Sequence, residues 1–142
     1  MSKPLPIIID TDPGQDDAVA ILLALASPEF EVLGITAVAG NVPLALTEKN
    51  ARKICELAGR PDVKVHAGAI RPMVRSLVTA EEVHGKTGLD GPVLPEPAVE
   101  PERATPRRSL LHCLGDPTSD DLRRHWADPD IDFIGIDNYM PL

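Results

Sequence analysis

The first half of the chain is written in blocks of apolar residues separated by turn residues. Ile7-Ile8-Ile9 is a short, wholly apolar, β-branched run, the pattern of a strand covered on both faces, and it stops at Asp10-Thr11-Asp12-Pro13-Gly14. Asp16 to Ala26 is rich in Ala, Leu and Ile, carries acids in its first turn and is ended by Ser27-Pro28, which predicts a helix. Glu31 to Val38 predicts a second strand, closed by Ala39-Gly40-Asn41. A second helix is predicted from about Pro43 to Ala58, with Leu46, Asn50, Ile54, Leu57 and Ala58 as a mostly apolar stripe and Gly59 at its end. Val63 to His66 makes a third strand before Ala67-Gly68. This β-α-β-α-β order, with short connections, predicts an α/β fold: the N-terminal half of a doubly wound, mostly parallel sheet with right-handed crossovers.

The rest of the chain follows different rules. Five prolines, Pro92, Pro95, Pro97, Pro101 and Pro106, fall close together and exclude a helix or an inner strand there. They read as an extended linker between an α/β domain at residues 1–108 and a tail at 109–142. In that tail Thr118 or Ser119 starts a predicted short helix through Trp126, and Asp130 to Asp137 alternates as a strand through Ile131, Phe133, Ile134 and Ile136.

Composition narrows the function classes. With 142 residues there is room for one ordinary core, and 14 Lys and Arg against 22 Asp and Glu give a net charge of −8. A nucleic-acid backbone binder would be basic, so no nucleic-acid partner is expected. The longest apolar run, Ala18 to Ala26, is far short of the roughly 20 residues of a membrane helix. The N-terminus has no export pattern, and Cys55 and Cys113 suit unpaired thiols in a reducing compartment. The expected setting is cytoplasmic, without membrane association.

Chemistry concentrates where the first strand meets the first helix. Asp10, Asp12, Asp16 and Asp17 place four carboxylates within eight positions. Like charges so close raise one another's pKa unless a cation or strong donors compensate. Carboxylate oxygens suit a hard ion, calcium or magnesium, and the absence of paired His or Cys nearby argues against zinc. The bland alternative is an acid-rich helix cap without metal. In open parallel sheets, ligands bind beyond the carboxyl ends of the strands, the edge that here gathers the Asp cluster and Asn41.

The run Asp10-Thr11-Asp12-Pro13-Gly14-Gln15-Asp16-Asp17-Ala18-Val19-Ala20-Ile21 resembles the N-terminal signature of the nucleoside hydrolases, the inosine-uridine preferring ribohydrolase family. Further similar stretches follow in order: Val38-Ala39-Gly40-Asn41-Val42, Asn50-Ala51, Ala67-Gly68 and His84-Gly85-Lys86-Thr87-Gly88-Leu89-Asp90-Gly91. The resemblance covers about residues 5–108. It implies calcium-dependent hydrolysis of the N-glycosidic bond of a ribonucleoside to ribose and free base, in purine and pyrimidine salvage. In that resemblance Asp12 and Asp17 are calcium ligands, and Asp16 is the general base that takes a proton from the attacking water. Asn41 and His84 contact the substrate, and Asp10 orients the loop. The transition state would have oxocarbenium character, which a nearby carboxylate stabilises.

Other residues stand outside this set. His66 ends a strand and reads as a core or edge histidine, His112 and His125 have no partner placed by spacing, and the Asp128, Asp130, Asp132 series reads as a solvated edge. The family's domain is longer than this chain, and its later part supplies further calcium and ribose contacts, so an open, weak metal site and little or no turnover by this chain alone are expected. The closing stretch, Trp126 to Leu142, is similar to a strand of a glycoside-hydrolase-like TIM barrel of phage-tail and gene-transfer-agent proteins, which would make the chain a chimera. Two alternatives stay open beside the hydrolase. One is a non-catalytic, truncated or chimeric fragment that binds divalent metal weakly, or pairs with a second copy as a homo-oligomer through an unfinished sheet edge. The other is a haloacid-dehalogenase-like phosphatase with Asp10 as nucleophile, against which Gly14 speaks, because that family places Thr or Val there.

Overall fold

The computed structural model describes residues 3–72, 76–91 and 93–99, together with the backbone of a strand at 132–135. The predicted tail helix, Cys113, His112, His125 and Trp126 lie outside these described residues. Among the described residues the sheet has four parallel strands, β1 (Leu5–Thr11), β2 (Phe30–Ala37), β3 (Val65–Ala67) and β4 (Asp132–Gly135), in the order β3-β2-β1-β4. Helices α1 (Gln15–Ala26) and α2 (Leu44–Leu57) join the first three strands, and a single turn, α3 (Glu81–His84), follows. Each predicted element of the head is present, shifted by a residue or two at its ends. The one difference of type is α3, where only a glycine-rich loop was expected.

Period-two alternation puts Ile7 and Ile9 on one face of β1 and Ile8 on the other. All three are at most 1% exposed, as the unbroken apolar run requires. Ile7 and Ile9 pack with Ile21 of α1, Ile35 of β2 and Ala51, Ile54 and Cys55 of α2, so both helices cover the same face. Two parallel crossovers stepping in one direction, each of the same hand as the rule for such units requires, put both helices on that face. Between β1 and β4 the strand order reverses, and the carboxyl end of β1 therefore opens at a topological switch point. β4 runs parallel to β1, from Ile7 opposite Asp132 to Asp10 opposite Gly135. It falls inside the strand predicted at Asp130 to Asp137, and among the described residues β3 and β4 are the outer strands.

The stripe expected on α2 is rotated. Its buried side is Thr47, Glu48, Asn50, Ala51, Ile54 and Cys55, whereas Leu57 is 51% exposed. Ile54 and Cys55 of the same last turn are buried, so Leu57 is exposed because it falls at the margin of the buried face. Glu48 is tolerated in the buried set because Arg52, one turn on, donates to both its oxygens at 2.6 and 3.0 Å. Cys55 is a free thiol, and burial pushes it up to about 12, so it packs as an inert apolar side chain. His66 is wholly buried in β3.

The proline-rich stretch at 93–99 lies along α2. Glu96 sits 2.8 Å from Lys49 Nζ and 2.9 Å from Lys53 Nζ, and Arg52 Nη1 donates to the Val99 carbonyl at 2.9 Å. The two lysines hold the Glu96 carboxyl down to about 2. A lowered carboxyl favours the attachment above its ordinary value of about 4.5, and this contribution fades as pH falls toward 2.

Two outcomes follow from this packing. Ile9→Ala should lower unfolding free energy by about 2–5 kcal/mol in a denaturant titration, because the cavity opens between three elements. Replacing Lys49 and Lys53 together by Met should return the Glu96 titration midpoint, read by carboxyl carbon NMR, to near its ordinary value. A midpoint that stays low would show that these lysines do not hold the strap.

Candidate active site

Three segments meet beyond the carboxyl ends of β1 and β2. β1 delivers Asp10, Thr11 and Asp12, α1 begins with Gln15, Asp16 and Asp17, and β2 leads into Val38 to Asn41. Backbone bonds clip the segments together: Val38 N–H donates to the Thr11 carbonyl at 2.9 Å, and Gly68 N–H to the Ala37 carbonyl at 2.7 Å.

Asp17 is the most constrained of the four acids. It is fully buried, and its Oδ1 accepts from the Thr11 hydroxyl at 2.8 Å. Its Oδ2 accepts from Gly14 N–H at 3.0 Å and from Asn41 Nδ2 at 3.4 Å. The bond to Gly14 is the return half of a capping box, the forward half being impossible for a glycine cap. The helix N-terminus adds its partial positive charge. Removing a carboxylate from water costs several kcal/mol, and these donors together offset it.

Asn41 joins the strand ends. Its backbone N–H donates to Asp12 Oδ2 at 2.7 Å, and its side-chain amide donates to the Asp12 carbonyl at 2.9 Å as well as to Asp17. Gly40 lies so close to Asp12 that a Cβ there would overlap the carboxylate, so a side chain at 40 would expel Asp12 from its seat. Asp10 accepts from the Thr36 hydroxyl of β2 at 2.8 Å, which ties it to the neighbouring strand. Asp16, like Asp10, is exposed, its side chain at 52%.

The glycine-rich stretch closes over this group. His84 is buried at the end of α3, with Nδ1 2.6 Å from Gln15 Oε1 and 4.0 Å from Asp16 Oδ1. A Cβ on Gly14 would come within 2.6 Å of the same Nδ1, so the glycine makes room for the ring. Gly85 and Gly88 adopt φ of +77° and +82°, which only glycine takes without strain. Asp90 receives the Thr87 hydroxyl and the N–H groups of Lys86 and Thr87, and the hydroxyl bond comes first in holding its carboxyl below the ordinary range.

Asp12, Asp17 and Asn41 thus form one hydrogen-bonded unit, with Asp16 and His84 beside it and Asp10 two residues before Asp12. Two contributors were not singled out as site residues in the sequence. Asn50 of α2 donates from Nδ2 to the Pro13 carbonyl at 3.2 Å and to the Thr87 carbonyl at 2.8 Å, bridging the Asp loop and the glycine-rich loop. An amide inside an otherwise apolar helix stripe was the available signal. Gln15 is the other; as an exposed residue inside a motif it carried no signal of its own.

The donors match a hard cation in kind, since Asp12 and Asp17 present oxygen only and Gly40 leaves the Asp12 carboxylate uncrowded. In number they cover one side of such a site: among the described residues no three of His, Cys, Asp and Glu stand together as a metal-holding group.

Comparison with known proteins defines the class. The family described as "Inosine-uridine preferring nucleoside hydrolase" matches residues 7–123. The chain belongs to this nucleoside hydrolase family. It is 54% identical over 101 residues to a pyrimidine-specific ribonucleoside hydrolase, RihA, of Salmonella paratyphi B, a match covering 71% of this chain and 32% of that protein. It is 57% identical over 94 residues to an uncharacterized protein of Schizosaccharomyces pombe, covering 66% of this chain and 30% of that one. Among solved structures it is similar to a plant nucleoside hydrolase, with TM-score 0.74, 31% identity, and coverage of 94% of this chain and 40% of the other. A purine-preferring ribonucleoside hydrolase from Gardnerella vaginalis gives TM-score 0.74 at 27% identity, covering 92% of this chain and 39% of the other. The chain spans about a third of the length of the curated relatives it matches. Among the described residues no helix is long and apolar enough to cross a membrane.

The hydrogen bonds around Asp17 make a direct prediction. Thr11→Val keeps the side-chain shape but removes a donor from a buried carboxylate, and should cost about 1–3 kcal/mol of stability in denaturant unfolding. Thr11→Ser should restore most of it. An unchanged midpoint for Thr11→Val would mean that the hydroxyl does not satisfy Asp17.

Proposed function

We propose that this chain carries the acid-rich half of a nucleosidase site, which hydrolyses the N-glycosidic bond of a ribonucleoside to ribose and free base. The observation that carries the reading is the division among neighbouring carboxylates: Asp12 and Asp17 accept hydrogen bonds from within the loop cluster, and the side chain of Asp16, between them in sequence, is 52% exposed.

In this reading Asp12 and Asp17 would hold a calcium ion, which supplies an electrophilic anchor for oxygens of water and ribose. Asp16 acts as general base. It takes one proton from the attacking water as the water oxygen bonds to C1′, and the electrons of the C1′–N bond leave with the base. Positive charge that builds on the sugar is stabilised by the same carboxylates. Asn41 and His84 contact the nucleoside, and Asp10 supports the strand end through Thr36. The acid-only chemistry of Asp12 and Asp17 supports calcium over zinc.

A second reading, in which the chain binds a divalent ion weakly without catalysis, is supported by the sparse donor set: among the described residues no three of His, Cys, Asp and Glu stand together as a metal-holding group.

One assay separates the two. With millimolar calcium and inosine or uridine, the chain should release free ribose, and Asp16→Asn should lower the rate by at least about 100-fold, the usual weight of a general base. Chelation should abolish release, and Asp12→Asn should weaken calcium binding in a calorimetric titration. Calcium binding without ribose from the folded chain would favour the binding-only reading; neither one would overturn both.

A further inference from the structure

Gln15 and His84 touch at two points of opposite polarity. Gln15 Nε2 donates to the His84 carbonyl at 3.3 Å, and Gln15 Oε1 lies 2.6 Å from His84 Nδ1. The two contacts orient the amide uniquely. Turned over, its oxygen would face the His84 carbonyl, two acceptors opposed, and its NH₂ would face the ring. With the amide oxygen against Nδ1, that nitrogen must carry the proton. Asp16 Oδ1, 4.0 Å from the same nitrogen, acts in the same direction. The ring is 7% exposed and seated over Gly14, where a Cβ would collide with it, so its position is built into the loop.

We infer that Gln15 is a positioning residue that holds His84 as the neutral tautomer protonated at Nδ1. In that neutral form Nε2 is a hydrogen-bond acceptor, which receives a hydroxyl or N–H of a ligand. The identity of that ligand as a nucleoside rests on the proposed nucleosidase reading; the tautomer does not.

The test is imidazole nitrogen NMR on the full chain labelled with ¹⁵N-histidine, recorded as a pH series and read where the nitrogen shifts have stopped changing on the alkaline side. His84→Asn serves only to assign the His84 signals. The parent should show Nδ1 protonated and Nε2 bare. Gln15→Leu should shift His84 toward the Nε2–H form that free imidazole side chains favour, whereas Gln15→Glu, which keeps an acceptor oxygen, should retain the parent pattern. Asp16→Asn should also retain it, because Gln15 is the direct partner. Gln15 is exposed in the first turn of α1, so the Leu variant should keep the parent circular dichroism and unfolding midpoint. A parent with Nε2–H, or a Gln15→Leu pattern identical to the parent, overturns the assignment. A parent that releases no ribose yet shows Nδ1–H at His84 overturns the nucleosidase reading and leaves this one standing.

Discussion

The constraint on which the rest of the site depends is the burial of the Asp17 carboxylate. An ionised group with no access to water must find its donors within the protein, and each donor comes from a different part of the chain: Thr11 at the end of β1, Gly14 at the cap of α1, Asn41 after β2. Satisfying one carboxylate thereby fixes where a strand ends, where a helix begins and how the next strand's loop returns. Asn41 extends the constraint to Asp12 through two further bonds, so the carboxyl edge of the sheet is set by a small polar network standing on an apolar core.

That network also distributes roles among residues of the same type. Four aspartates within eight positions are chemically equivalent in the unfolded chain, and folding makes them different. Asp17 is enclosed, Asp12 is held at one oxygen by a backbone N–H and approached closely by Gly40, Asp10 is tied to β2, and Asp16 faces solvent. A proton acceptor needs a route to water, whereas a metal ligand needs a fixed direction. The separation of enclosed from exposed carboxylates in one turn of chain is the feature on which the proposed hydrolytic reading rests.

The glycine-rich segment illustrates how a loop is fixed without strands or a long helix. Asn50 reaches from the middle of α2 to two backbone carbonyls, Gly85 and Gly88 supply the turns, and Gln15 grips His84 from the opposite side. The helices thus serve twice, burying apolar residues against the sheet and carrying amides that orient the loops above it.

The order of strands and helices was legible in the sequence because the run Ile7-Ile8-Ile9, the helix stops at Ser27-Pro28 and Gly59, and the β-branched second strand are local signals. The Asp cluster was equally legible, since crowding like charges is costly wherever it occurs and asks for a cause. What remained hidden depended on contacts between residues distant in sequence. The buried face of α2 is set by what packs against it, Thr47, Glu48, Asn50, Ala51, Ile54 and Cys55 being its buried residues, so Leu57 proved exposed despite its character. Asn50 spoke of an imperfect apolar stripe until Thr87, 37 positions away, arrived as its acceptor. Gln15 had no meaning until His84, 69 positions on, was placed against it. The sequence by itself determined the elements, the family signature and the kind of chemistry, because these rest on spacing along one backbone. Only the tertiary structure decided which carboxylate is enclosed and which is open, because burial and hydrogen bonding are properties of the packed neighbourhood.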